Sequence, residues 1–151
     1  MTEKDACEFP KFHAAAEEIG EILRRSKTIA VVGLSPRPER PSYHVAQYLQ
    51  SQGYTIIPVN PGHAEILGEK AYKTLLEIPG SIDIVDIFRK PEAVGPIAEE
   101  AIAKKAKVLW MQEGIINNEA AGKAKAAGLA VVMNRCIMKD HWALHIGQIS
   151  K

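Results

Sequence analysis

The chain has 151 residues, 46% hydrophobic and 25% charged, an ordinary globular composition that fits one compact core and leaves no room for a second domain of normal size. A formal net charge of +1 gives no overall pull toward nucleic acid or an anionic membrane, so an anion site must come from a local cluster. Two cysteines, Cys7 and Cys136, cannot build a disulfide framework. No apolar run approaches the roughly 20 residues of a membrane span, and the charged N-terminus lacks a secretory apolar region, so the expected location is the cytoplasm.

The expected elements alternate between helix and strand. Ala14 to Arg25 has helical spacing, with Ala15, Ile19, Ile22 and Leu23 on one face. Thr28 to Val32 is a buried-strand run ending at Gly33. Ser42 suits the N-cap of a helix through Gln52, with Gly53 as its stop. Tyr54 to Val59 is a second strand, followed by the turn Asn60-Pro61-Gly62. Ala64 to Leu67 reads as irregular or a single helical turn, and Thr74 to Ile78 as a short helix. Ile82 to Phe88 is a third strand, and Pro91 opens a helix to Lys105. Val108 to Met111 is a fourth strand, Asn118 to Ala127 a helix, Leu129 to Met133 a fifth strand and Met138 to Ile146 a last helix. This alternation implies right-handed crossovers and a single doubly wound, mostly parallel five-stranded sheet in an α/β fold, with helices on both faces. The whole chain, 1–151, is expected to be one domain, with its core at about 19–146.

In such a sheet, ligands bind outside the carboxyl ends of the strands. The first strand leads into Gly33-Leu34-Ser35 and a loop with Arg37, Pro38 and Arg40 before Ser42. Gly33 allows close backbone approach, Ser35 and the helix-start amides can donate hydrogen bonds, and the arginines add fork-shaped donors suited to phosphate. The plain alternative is a solvated, proline-stiffened loop. The second and third glycines of the dinucleotide fingerprint are missing, and Asn60 ends the second strand where NAD would favour an acid. After the third strand, Phe88-Arg89-Lys90 could pack on a purine and meet a phosphate, or could be a core aromatic with two solvated cations. After the fourth, Gln112 could bond the amides of a ligand arm and Gly114 could admit close backbone approach, while Glu113 lacks a partner that would mark it as a base. Cys136 follows the fifth strand beside Arg135, which could favour its thiolate, although a buried, space-filling cysteine is the commoner case. His141 and His145 could share a metal, but a third ligand at suitable spacing is missing, and no metal is expected. Trp110, Trp142, Met111 and Met138 read as core. No nucleophile elbow or P-loop lysine is present, so no catalytic residue is assigned.

With these strand ends assembled, the chain resembles the small stand-alone CoA-binding proteins, a bacterial and archaeal family related to the CoA-binding domain of succinyl-CoA synthetase alpha subunits. The resemblance runs from about Ile19 to Leu144. It is carried by IAVVGLSPRPERPSYHVAQYL, GYTIIPVNP, ILGEKAYKTLLEIP, IDIVDIFRKPE, AKVLWMQEGIINNEAA and AGLAVVMNRC. It implies a Rossmann-like CoA-binding domain whose cofactor is coenzyme A or an acyl-CoA. The Gly33–Ser42 loop would then hold the diphosphate, Phe88-Arg89-Lys90 would flank the adenosine, and the Gln112 region would meet the pantetheine arm. The sequence departs from many relatives at Glu113, where an apolar residue is common. The expected function is small-molecule binding without chemistry of its own, with no nucleic acid or membrane partner. The alternatives are an NAD(P)-linked oxidoreductase or a subunit of an acyl-CoA-processing complex. A protein partner or homo-oligomer stays open.

Overall fold

The computed structural model describes residues 9–149, with side chains through Leu144. In chain order the elements are α1 (Ala16–Arg25), β1 (Thr28–Val32), α2 (Pro41–Ser51), β2 (Thr55–Val59), β3 (Glu65–Ile66), β4 (Glu69–Lys70), β5 (Ile84–Ile87), α3 (Val94–Ala103), β6 (Val108–Met111), α4 (Asn118–Ala126), β7 (Ala130–Val132) and α5 (Ile137–Ile149). Single 3₁₀ turns stand at Leu75–Glu77 and Pro91–Ala93.

Five strands form a parallel sheet in the order β2-β1-β5-β6-β7. The chain begins at β1, steps outward to β2, then returns to the other side of β1 and runs on to β7. The reversal between β1 and β5 is the switch point of a doubly wound, Rossmann-like sheet. Both faces are covered, so the strands are apolar almost throughout. Ala30, Val32, Val85, Ile87, Leu109 and Met111 pack against α3 and α4. Ile29, Val31, Ile84, Val108 and Trp110 pack against α1, α2 and the start of α5.

The charged exception among the five strands is Asp86. It lies in β5 with the side-chain alternation of Ile84 and Phe88, in register with Val31 and Trp110. It is fully buried, and neither carboxylate oxygen has a hydrogen-bond partner. Burial alone holds its carboxyl pKa well above the ordinary range, because the charged form would be stripped of water there.

Several local expectations need correction. Residues 65–70 form a β3–β4 hairpin rather than an irregular stretch or a helical turn, with Leu67 and Gly68 both at positive φ in its tip. That pair fits a two-residue turn of mirror-image type, but leucine carries none of the usual Asn-Gly signal. Arg40, not Ser42, occupies the N-cap position of α2, and Pro41 opens the helix. The segment after Pro91 begins as a 3₁₀ turn and becomes α-helical only at Val94, ending at Ala103 rather than Lys105. Trp110 and Met111 are core, but Trp142 is 56% exposed on α5 and is not. No helix among the described residues is long and apolar enough to cross a membrane.

Candidate functional site

The segments that follow β5 and β6 and the first turns of α2 and α5 meet around a cleft of about 540 Å³. Its walls come from four places. Pro41, His44 and Val45 belong to the first turns of α2. Phe88, Arg89 and Lys90 follow β5, and Gln112, Glu113 and Ile115 follow β6. Cys136, Met138 and Lys139 stand at the start of α5. Sequence reasoning singled out Phe88, Arg89, Lys90 and Gln112, and the fold brings all four together. It did not assign Pro41, His44, Val45, Ile115, Met138 or Lys139 to the site. All but Ile115, which stands in the loop after β6, lie in the first turns of a helix that follows a strand-end loop, which is the signal that could have found them.

Gly33 is essential to this assembly, though not by leaving open space. Its φ is +89°, and a Cβ here would fall 2.5 Å from the Phe88 carbonyl oxygen and 2.9 Å from Arg89 Cδ. The Gly33 turn therefore lets the β5 loop pack directly on the β1 loop. It also brings the Arg89 stem against the turn that leads to α2. The Gly33 N–H donates to the Val59 carbonyl at 3.0 Å.

The loop from Leu34 to Arg40 is internally bonded. Leu34 buries its side chain completely in the core, so only its backbone can face a ligand. The Ser35 N–H donates to Ser42 Oγ at 3.0 Å, and Ser35 Oγ accepts from the Arg37 N–H at 3.1 Å. Ser42 is thus a buried clasp for the loop rather than the helix cap. Arg37 pairs with Glu39 at 3.0 Å, both well exposed. Pro38 and Arg40 are exposed. As the second and third residues of α2, Ser42 and Tyr43 have N–H groups with no preceding helical carbonyl, so this end of the helix is a ready anion acceptor.

Asn60 does not stand free at the end of β2. Its Nδ2 donates to the Leu34 carbonyl at 2.9 Å, and its Oδ1 accepts from the Gly62 N–H at 2.8 Å. Gly114, at φ +89°, turns its N–H onto Asn134 Oδ1 at 2.7 Å. This ties the β6 loop to the β7 loop. Asn134 itself adopts a positive φ.

The charges around the cleft divide into two groups. Arg89 and Lys90 are exposed and make no ion pair among the described residues. Lys139 pairs with Glu113 at 3.0 Å, which raises the lysine's pKa. Arg135 is not part of the cleft lining and makes a double hydrogen bond to Asp140 at 2.8 Å. The idea that Arg135 favours a Cys136 thiolate is therefore corrected: that guanidinium is already engaged. On α5, His141 Nδ1 meets the Tyr48 hydroxyl at 2.8 Å, with its ring edge-on to Tyr48 and Tyr54. This bond ties α5 to α2. The side chain of His145 and all of Cys7 lie outside the described residues.

Gln112 is the most informative side chain in the cleft. It is 4% exposed, and its Oε1 accepts the Ile137 N–H at 3.1 Å. It therefore holds the first turn of α5 against the sheet. Because that bond fixes the oxygen, the amide nitrogen is the end left over. Nε2 has no protein partner among the described residues, and it is not among the buried unpartnered atoms, so solvent reaches it through the cleft.

A parallel doubly wound sheet with a cleft at its switch point defines a Rossmann-like ligand-binding domain. The chain belongs to the CoA binding domain family, whose sequence pattern matches residues 27–142. It is 51% identical over 124 residues to the uncharacterized protein YneT of Bacillus subtilis (strain 168), covering 82% of this chain and 92% of that one. A solved structure of a hypothetical protein from Pyrococcus horikoshii OT3 superposes with a TM-score of 0.86 at 47% identity, covering 91% of this chain and 96% of that one. The ADP-forming acetate–CoA ligase I subunit alpha of Pyrococcus furiosus is 37% identical over 95 residues. Those residues are 59% of this chain but only 21% of the ligase subunit, so the likeness is to one part of a larger protein.

Proposed function

We propose that this protein binds coenzyme A or an acyl-CoA in this cleft, as a cytoplasmic binding module without catalysis of its own. The observation that carries this reading is the mixed chemistry of the cleft's lining. Arg89 and Lys90, which make no ion pair among the described residues, stand there with the first turns of α2. Val45, Phe88, Ile115 and Met138 add apolar surface, and the Gln112 side chain and the Cys136 thiol complete the wall. CoA carries groups to match each: phosphates and a purine, a chain with spaced amides, and a sulfur. The diphosphate would rest on the Ser42 and Tyr43 amides with Arg40 and Arg89 beside it, and Phe88 would flank the purine.

NAD fits less well. Its ribose wants a free carboxylate after β2, and Asn60 stands there with both side-chain ends bonded to the backbone. The ligase activity named for the acetate–CoA ligase relative is said of that protein, of which the matched region is 21%.

The reading is tested by Arg89→Ala. Calorimetric titration should show CoA binding weakened by about 1.5–3 kcal/mol, the range for a hydrogen bond to a charged group. The loss should shrink as salt rises, because the side chain is exposed. Unchanged affinity in Arg89→Ala alongside a full loss in Arg37→Ala would move the phosphates out of the cleft and onto the β1 loop.

A further inference from the structure

We propose that Cys136 is a thiol–disulfide exchange site for the ligand's own sulfur, so that the cleft can hold CoA covalently as well as reversibly. The proposal rests on the CoA reading above and adds a chemical step to it. It stands on two neighbouring groups that nothing in the binding of phosphates requires.

The first is the thiol. Cys136 lies on the cleft wall, immediately before α5, and is 9% exposed. Cys136 packs in the apolar cluster with Trp110, Val132 and Ile137, and it also lines the cleft at a helix start, where the dipole favours negative charge. Lys139 stands one turn further on. Its ammonium is paired with Glu113 at 3.0 Å on the same cleft wall.

The second is the Gln112 amide. Its oxygen is bonded to the N–H of Ile137, the residue next to Cys136. Its nitrogen has no protein acceptor among the described residues and is left where solvent reaches it in the cleft. An ordered donor of this kind is matched by a carbonyl on the ligand. In a pantetheine arm the last amide carbonyl is separated from the sulfur only by a nitrogen and two methylenes. A carbonyl held by Gln112 therefore delivers the sulfur to the neighbourhood of Cys136. The same donor gives no reason for a sulfur-free ligand to end at this place.

The step is an exchange, and its atoms balance. Cys136 loses its proton to solvent, and the thiolate attacks one sulfur of a CoA disulfide. The bond between Cys136 Sγ and that CoA sulfur forms, and the bond between the two CoA sulfurs breaks. The second CoA leaves as a thiolate and takes up a proton. The cysteine sulfur is oxidised and the departing CoA sulfur is reduced. A small thiol reverses the reaction by the same route.

The test uses the full, fully reduced chain with CoA disulfide, read by intact mass. One CoA adduct is expected on the parent and on Cys7→Ser, none on Cys136→Ser, and reductant should remove it. Cystamine, which has the same terminal sulfur chemistry without the nucleotide, should modify Cys136 at least about tenfold more slowly, since only CoA gains from being held in the cleft. Equal rates for the two disulfides, or an adduct that persists in Cys136→Ser, would overturn the proposal. A parallel titration of reduced CoA into Cys136→Ser separates the two readings. Binding there, with no adduct on the parent, sinks the exchange and leaves CoA binding standing. No binding there or in the parent removes both.

Discussion

Gly33→Ala is expected to lower the free energy of unfolding by about 2–5 kcal/mol and to weaken CoA binding along with it. Two costs add. A Cβ at φ +89° strains the backbone by about 1–2 kcal/mol. The same Cβ would lie 2.5 Å from the Phe88 carbonyl oxygen, a backbone atom that cannot swing aside, and such overpacking costs about 1–3 kcal/mol. Relief requires the β5 loop to move, and that loop carries Arg89 and Lys90. Gly128→Ala is the control. Its φ is +98°, but nothing lies within 4 Å of the added carbon, so only the backbone cost applies. Urea denaturation should rank the parent first, Gly128→Ala second and Gly33→Ala last. Equal losses in the two variants would mean that the contact between the β1 and β5 loops contributes nothing.

The second large effect runs the other way. Asp86→Val should stabilise the fold by about 1–3 kcal/mol at neutral pH, since it removes a buried polar group with no partner. Valine suits a strand buried on both faces and sits beside Val31 in register. The pH dependence has a definite sign. The native carboxyl holds its proton well above the ordinary value near 3.8, so the folded chain binds more protons than the unfolded one over that interval. Below the ordinary value both states are protonated and the group contributes nothing. As pH rises from there toward the native value, stability falls by about 1.4 kcal/mol per pH unit, and above the native value the loss is complete. The advantage of Asp86→Val over the parent should therefore grow with pH when both are unfolded chemically at a series of pH values. An advantage that shrinks as pH rises would show that Asp86 is ionised and paired in the native protein.

The sheet was legible in the sequence because its signals are local. Runs such as Thr28–Val32 and Val108–Met111 are apolar on both faces, and each is separated from the next by a helical stretch with a glycine or proline at its boundary. The strand-end residues followed from the fold class, and six of them, Phe88, Arg89, Lys90, Gln112, Glu113 and Cys136, line one cleft. What could not be read is where each side chain points. Gln112 reads equally well as a ligand contact or as a clamp on α5; the structure shows its oxygen doing the second and leaves its nitrogen for the first. Asn60 and Ser42 resemble ligand contacts in sequence, yet their polar atoms close the surrounding loops. Asp86 was hidden inside a strand pattern, since a single acid in an apolar run gives no sign of whether a partner awaits it. The β3–β4 hairpin was missed because Leu67-Gly68 makes its turn without the residues that favour one. Trp142 was misplaced because an apolar residue on a terminal helix is assigned to the core by type alone, and here α5 turns it outward.

The central claim is that the cleft is built for CoA and not for a nicotinamide dinucleotide. Calorimetric titration of the purified, reduced protein with CoA and, separately, with NAD at the same concentrations tests it most directly. The account predicts saturable binding of one CoA per chain, and a CoA-induced rise in melting temperature larger than any produced by NAD, since a ligand that binds only the native state stabilises it by mass action. Tight binding of NAD with no measurable binding of CoA would contradict it.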